Sequence, residues 1–394
     1  MNDLRKRTLT LLSLLPLILV LAWLAWANSA TVLRPATGKK AVGANAPQAL
    51  AARKETTPAP RPAREAVPPL VWTKPENVRG VYATGWMAGS TKWLDRMIQF
   101  IDRTEINSLV VDVKDDTGTL SYPSEVALAR ESGASMTKIA DPRALLAKLH
   151  ARRIYPIARI VVFKDPLLAK YKPEWAVRDT GGGLWQDRKG LNWVDPNNRG
   201  VWDYVIAIAK EAAAMGFQEI QFDYVRFTSD GDLKRCVYPF SDGKLKQDVI
   251  QEFLQYARAE LKPYRIPVSA DIFGLTTSAP DDLGIGQYFE KIAASVDVVC
   301  PMVYPSHYAL GTFGLKNPDL NPYKTVYHGV SDAKKRLLKS GEAAKLRPWL
   351  QDFSLGNYYG REQIQAQIKA VMDAGVSEWI FWNPSCRYQT EKYN

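Results

Sequence analysis

Acidic side chains set into otherwise apolar strands are the residues of this chain best placed to do chemistry. In Gln218-Glu219-Ile220-Gln221-Phe222-Asp223-Tyr224-Val225-Arg226-Phe227, a two-residue period puts Ile220, Phe222 and Tyr224 on one face and Gln221 and Asp223 on the other. A carboxylate on a buried strand is costly unless it is paired or used. The pattern recurs: Leu109, Val111 and Val113 alternate with Asp112 and Lys114, and Val268, Ala270 and Ile272 alternate with Ser269 and Asp271. Two such carboxyl groups can divide the work of general acid and of base or nucleophile at a glycosidic bond.

The elements that must position these groups alternate in type. Strand-like segments fall at 80–85, 108–114, 157–163, 219–226, 267–273, 296–303, 347–353 and 378–382. Helix-like periodicity lies between them at 92–103, 142–153, 199–215, 244–262, 286–294, 323–339 and 361–374. Asp141-Pro142 is a helix start, and Met215-Gly216 and Ala374-Gly375 are helix stops. Eight strands alternating with helices predict a (β/α)8 TIM barrel, with the catalytic mouth at the C-terminal ends of the strands. The alternative, a doubly wound open sheet, lacks the Gly-rich phosphate loop expected after its first strand.

Collected at that mouth are Trp86, Asp112, Lys114, Asp115, Asp116, Lys164, Asp165, Asp223, Arg226, Asp271, Tyr304, Ser306, His307, Gln351, Asp352, Trp382 and Asn383. Carboxylates ringed with aromatics suit sugar rings, whose C–H faces stack on flat apolar surfaces. Each residue also has a plain structural reading. Asp223 could pair with Arg226, Asp271 could cap a helix, Asp112 could satisfy Lys114, and Asp115-Asp116 lies in a turn signature. The Gly-rich loop 181–193 carries Trp185 and Trp193 and should overhang the mouth, either as a glycan-binding lid or as ordinary packing.

Composition narrows the classes. The net charge is +11, but residues 1–78 hold eleven Lys/Arg against four Asp/Glu, so that segment supplies +7 and the rest +4. The basicity therefore belongs to the N-terminal extension, and no nucleic-acid partner is expected. Cys236, Cys300 and Cys386 form no CxxC pair, which excludes a zinc ribbon and a disulfide scaffold and leaves only a Cys236–Cys386 bridge open. His150, His307 and His328 show no metal-ligand spacing. No metal or cofactor is expected.

Arg5-Lys6-Arg7 precedes an uncharged stretch from Thr8 to Ala27, twenty residues, the length of a bilayer core. Residues 1–27 are read as a membrane anchor, with a signal peptide cleaved at Ala25-Trp26-Ala27 as the alternative. Either exports the remainder. Residues 28–75 form an Ala/Pro-rich linker without a core, and 76–394 the folded domain.

Six motifs in order carry a resemblance: Val78-Arg79-Gly80-Val81-Tyr82, Val111-Asp112-Val113-Lys114-Asp115-Asp116, Gln221-Phe222-Asp223-Tyr224-Val225-Arg226-Phe227, Asp271-Ile272-Phe273-Gly274, Met302-Val303-Tyr304-Pro305-Ser306-His307-Tyr308 and Pro348-Trp349-Leu350-Gln351-Asp352-Phe353. Over 79–383 the chain resembles a bacterial glycoside hydrolase family first catalogued as a domain of unknown function. The resemblance implies a TIM barrel similar to alpha-amylase-type glycosidases. Those enzymes place a nucleophilic Asp on strand 4, an acid Glu on strand 5 and a supporting Asp after strand 7; Asp223, Asp271 and Asp352 fall at similar places. Strand 5 departs by carrying Asp, and Arg226 follows Asp223 where the pattern puts an Arg before it, which leaves the acid and the stereochemistry open.

The expectation is an anchored, extracytoplasmic glycoside hydrolase acting on a polysaccharide. Asp223 is the expected nucleophile or base and Asp271 the acid. Trp86, Asp112, Lys114, Arg226, Tyr304, His307, Gln351, Asp352 and Trp382 are the expected substrate contacts. The alternatives are a glycan-binding module on a barrel that no longer cleaves, and another envelope hydrolase such as a deacetylase, whose usual His-rich metal site the three scattered histidines do not supply.

Overall fold

The computed structural model describes residues 74–394. The expected anchor and nearly all of the linker lie outside the described residues, and among those described no helix is long and apolar enough to cross a membrane. Eight parallel strands form the frame: β1 (Arg79–Ala83), β2 (Ser108–Lys114), β3 (Tyr155–Val161), β4 (Glu219–Asp223), β5 (Val268–Phe273), β6 (Val298–Met302), β7 (Trp349–Gln351) and β8 (Trp379–Trp382). Each pairs with the next, β8 pairs with β1, and the Trp349–Met302 pairing of β7 with β6 completes the circle. The result is the expected (β/α)8 barrel.

The principal helix after each strand is α1 (Thr91–Ile101), α2 (Pro142–Ala151), α3 (Arg199–Met215), α4 (Lys246–Leu261), α5 (Phe289–Ala293), α6 (Pro322–Ser340), α7 (Arg361–Asp373) and α8 (Thr390–Tyr393), with short extra helices Gly85–Ala88, Ala127–Glu131 and Pro166–Tyr171 in the first three connections. Their ends follow local chemistry. Asp141 accepts the Ala144 N–H at the start of α2, with Pro142 in the first turn, and α3 stops at Gly216, whose φ of 119° a side chain would resist. Apolar faces such as Leu94, Met97, Ile98 and Ile101 of α1 pack onto the strands.

Three expected elements are shorter than their periodicity suggested. β4 ends at Asp223 rather than 226, because Tyr224 turns into the left-handed region at φ 51°. β7 is preceded by a separate piece, Lys345–Leu346, which pairs with Val298 and Val299. Pro348, which has no N–H to donate, lies between the two pieces. α5 begins only at Phe289, since Gly286 at φ 85° interrupts the helical run.

Inward-facing residues of β4 mark three levels of the barrel. At the floor, Glu219 accepts from Arg347 Nη1 at 2.6 Å and from Ser269 Oγ at 2.7 Å, while Arg347 Nε donates to Glu378 at 2.8 Å. Gln221 meets Cys300 midway, and Asp223 reaches the mouth. The floor charges form a closed ion-pair network, which makes the upper level, where Asp223 lies, the better place to look for chemistry.

Candidate active site

The β2–β3 register sets Asp112 opposite Arg159, and the β3–β4 register sets Val161 opposite Asp223, so all three polar side chains enter the upper barrel. Arg159 is the hub. Its Nε donates to Asp223 Oδ2 at 3.0 Å and its Nη2 donates to the same oxygen. Its Nη1 donates to Asp112 Oδ1 at 2.6 Å. Asp271 on the neighbouring strand β5 lies with Oδ2 4.0 Å from the same Nε.

The remaining oxygens of these carboxyls differ in ways that matter. Asp223 Oδ1 accepts the N–H of Tyr224 at 2.6 Å, a contact made possible by the left-handed turn at that residue. Asp112 Oδ2 accepts from the Tyr82 hydroxyl. Asp271 Oδ1 accepts from Trp349 Nε1 at 2.7 Å, whereas its Oδ2 is buried without a hydrogen-bond partner. Burial first, and then the charge of Asp223, push the Asp271 carboxyl well above the ordinary carboxylate range, against the pull of Arg159. Burial also raises Asp112 to about 6, opposed by Arg159 and by the Tyr82 hydroxyl. A carboxyl pushed towards its protonated form, beside a second carboxyl, is an arrangement that general-acid catalysis uses.

Aromatic rings wall this cluster. Tyr82 stacks on Trp382 at 3.9 Å between centroids, and the Arg159 guanidinium lies 5.2 Å from the Trp382 ring. Tyr304 stands beside the pair: after burial, the charges of Asp271 and Asp223 raise its hydroxyl well above the ordinary range. His307 packs edge-on to Tyr304 at 5.3 Å, and burial pulls its imidazole down to about 3, so it is neutral at physiological pH. Its Nδ1 meets Ser306 Oγ at 2.9 Å; Gln351 Oε1 accepts from that hydroxyl and from the Ser306 N–H, at 2.9 and 3.1 Å. Gln351 thus holds the β6 loop in place.

Several expected contacts lie elsewhere. Lys114 is buried in the β2–β3 wall, with Nζ 2.9 Å from Asp165 and 2.8 Å from the Val161 carbonyl. Arg226 packs against the rings of Phe273 at 4.7 Å and Trp193 at 4.8 Å, and donates to Ser229 Oγ at 2.9 Å. The guanidinium hydrogen-bonded to Asp223 is therefore that of Arg159. Asp352 projects from the end of β7 towards the C-terminal helix, where Lys392 Nζ at 2.8 Å and the Tyr393 hydroxyl at 2.9 Å bind it. Trp86 sits just beyond β1 and is 60 % exposed at the rim. Trp185 and Trp193 are buried, with indole N–H groups donating to the Asp232 carbonyl and the Asp187 carboxylate, so the loop 181–193 offers neither ring to a ligand.

Cation chemistry finds no foothold in the Asp115-Asp116 turn. Lys138 fills it with an ammonium on Asp115, and the Thr117 and Thr119 hydroxyls also donate to that carboxylate. Among the described residues no His/Cys/Asp/Glu group is arranged to hold a metal ion. Cys236, Cys300 and Cys386 are free thiols.

Known proteins bear on the family and the fold. A family profile described as "Putative glycosyl hydrolase domain" matches residues 80–388. A hypothetical protein from Ruminiclostridium thermocellum ATCC 27405 is 42% identical, covering 52% of this chain and 99% of its own, at a TM-score of 0.46. The PgaB (BpsB) glycoside hydrolase domain from Bordetella bronchiseptica is 13% identical over 78% of this chain and 94% of its own, at a TM-score of 0.58. Alpha-L-fucosidase isoenzyme 2 from Paenibacillus thiaminolyticus is 15% identical over 80% of this chain and 48% of its own, at 0.51. The last two likenesses concern the barrel fold alone. No curated protein matches the sequence significantly.

Proposed function

Because the chain belongs to the "Putative glycosyl hydrolase domain" family, we propose that it is an extracytoplasmic glycoside hydrolase that cleaves a polysaccharide with the carboxyl pair Asp223 and Asp271. The observation that carries this reading is the inequality of the two groups around Arg159. Asp223 is hydrogen-bonded to the cation, while Asp271, its buried Oδ2 unpartnered, is pushed towards the protonated form. Asp271 then gives its proton to the leaving glycosidic oxygen, and Asp223 attacks the anomeric carbon or activates a water that does.

The spacing of the pair bears on the stereochemistry. Both carboxyl oxygens lie within 4.0 Å of one nitrogen, Arg159 Nε, so their separation cannot exceed the sum of those two short distances. That ceiling, about 7 Å, admits both the about 5–5.5 Å spacing of retaining enzymes and the lower end of the about 6.5–9.5 Å spacing of inverting ones, so retention rests on the alpha-amylase-like placement of the two residues. Retention through a covalent glycosyl–Asp223 intermediate is the expected course.

A second reading, a glycan-binding barrel that does not cleave, has its own observation. Asp112, Arg159, Asp223 and Asp271 are all buried, and Asp223, the most open of them, is only 6 % exposed. A sugar must displace side chains to reach them. Incubating the protein with a panel of polysaccharides and following the anomeric configuration of any product by NMR separates the two readings. Retained configuration supports the first; binding without products supports the second.

A further inference from the structure

Past the end of β7, the buried Phe353 ring lies 5.7 Å from that of Tyr304. Five residues further on stands Tyr358, 77 % exposed, the most open of the large apolar side chains described. A single exposed aromatic is ordinary on a protein surface. What sets this one apart is how its neighbours are held. Asn357 donates its amide to the Asp319 carboxylate, and the Tyr359 hydroxyl donates to the Asp319 carbonyl at 3.0 Å. The Tyr359 N–H donates to Ser354 Oγ at 3.0 Å. The residues on both sides of Tyr358 are thus tied inward, which leaves its own side chain on the outer surface of the loop.

The ring also lies down on the backbone. A Cβ built on Gly360 would meet Tyr358 Cε1 at 2.5 Å and its hydroxyl oxygen at 2.9 Å. Glycine is therefore the residue that lets the ring keep this orientation; its φ of −104° is open to any amino acid, so close approach is the reason for glycine here. A tyrosine held flat on a rigid loop loses little freedom when something stacks on it.

We propose that Tyr358 is an outer platform for a sugar ring, gripping a polysaccharide chain beyond the ring that meets Asp223 and Asp271. The occupant follows from chemistry and position. A ring with a polar edge and an apolar face suits the C–H face of a pyranose, and Tyr358 stands on the loop that leaves the C-terminal end of β7, the mouth end of the barrel. The inference rests on the glycan reading above and narrows it, because an outer platform favours long chains over short ones.

The test measures affinity apart from cleavage. Full-length protein carrying Asp223→Asn is titrated calorimetrically with short and long oligomers of α-glucan, β-glucan and chitin, with and without Tyr358→Ala or Gly360→Ala. Tyr358→Ala should weaken binding of the long oligomers about three- to ten-fold and leave the shortest bound oligomer unchanged. Gly360→Ala should do the same with the tyrosine still present, because the new methyl lifts the ring. Unchanged affinity at every length, equal weakening at every length, or no oligomer binding at all overturns the platform. Cleavage by the unmodified protein is read separately on the same oligomers. Cleavage with no effect of Tyr358→Ala leaves the hydrolase and removes the platform; length-dependent binding without cleavage does the reverse.

Discussion

Arg159 holds Asp223 through two nitrogens on one carboxylate oxygen, with Nε at 3.0 Å, while its third nitrogen reaches back 2.6 Å to Asp112. One planar fork from β3 therefore ties β2 to β4 at the level of the mouth, an interaction for which guanidinium is suited and ammonium is not. Three buried carboxyl groups face this single cation. Burial is the main reason that Asp271 and Asp112 are pushed towards holding protons, with the charge of Asp223 adding to it at Asp271.

If Asp223 is the nucleophile or base, Asp223→Asn should lower turnover at least about a thousand-fold, since the amide keeps the shape and loses the charge. Arg159 retains Asp112 as a partner, so the fold should survive. Initial rates on whichever polysaccharide is cleaved, together with a melting curve, check both halves. Normal turnover in this variant would remove Asp223 from the mechanism and bring Asp112 forward.

Arg159→Met should destabilise the domain by about 3–5 kcal/mol, because it strands buried carboxyls whose shared cation has gone. Arg159→Lys should fall between, keeping a charge without the fork that spans Asp112 and Asp223. Denaturant unfolding measures both. A cost below about 1 kcal/mol for the methionine variant would mean that water or other groups already satisfy these carboxyls.

A pH experiment isolates Asp112. Its folded-state value of about 6 lies above the ordinary carboxylate value of about 4. The folded protein then holds this proton more tightly than the unfolded chain does, so stability falls as pH rises from about 4 to about 6 and levels off beyond. Asp112→Asn deletes that loss. The stability of this variant relative to the parent should therefore improve by on the order of 2–3 kcal/mol across that interval and stay flat above it. A difference independent of pH would show that Asp112 is ionised throughout.

The barrel was legible because period-two strands and capped helices write their pattern locally, and Asp223, Asp271, Tyr304 and Trp382 meet because a barrel gathers strand ends. Arg159 was readable too. It is the lone charge in Ile157-Ala158-Arg159-Ile160-Val161, and the rule that singled out Asp223 applies equally to it. The strand-end rule points instead to Lys164 and Asp165, which lie beyond β3. Proximity in sequence misled at Arg226, since the turn at Tyr224 sends the chain away from the strand before that side chain can face Asp223. The burial of Trp185 and Trp193 depends on Asp187 and Asp232, partners that no periodic pattern announces.

Asp352 offers a direct contest between a binding role and a structural one. In the fold its two oxygens take Lys392 and Tyr393, residues of the short final helix α8, and the Asn383 amide donates to its carbonyl at 2.6 Å. The carboxyl group is fully buried, so losing the ammonium would leave a charge without a counter-ion. Lys392→Met should then cost about 2–4 kcal/mol, with turnover per folded molecule unchanged. Adding Asp352→Asn should recover part of that loss, because the stranded carboxylate goes with it. Thermal melts of the two single variants and the double variant give the coupling. Should Lys392→Met leave stability untouched while turnover drops, the C-terminal helix would be tuning Asp352 for substrate, and that carboxylate would return to the list of groups that touch the sugar.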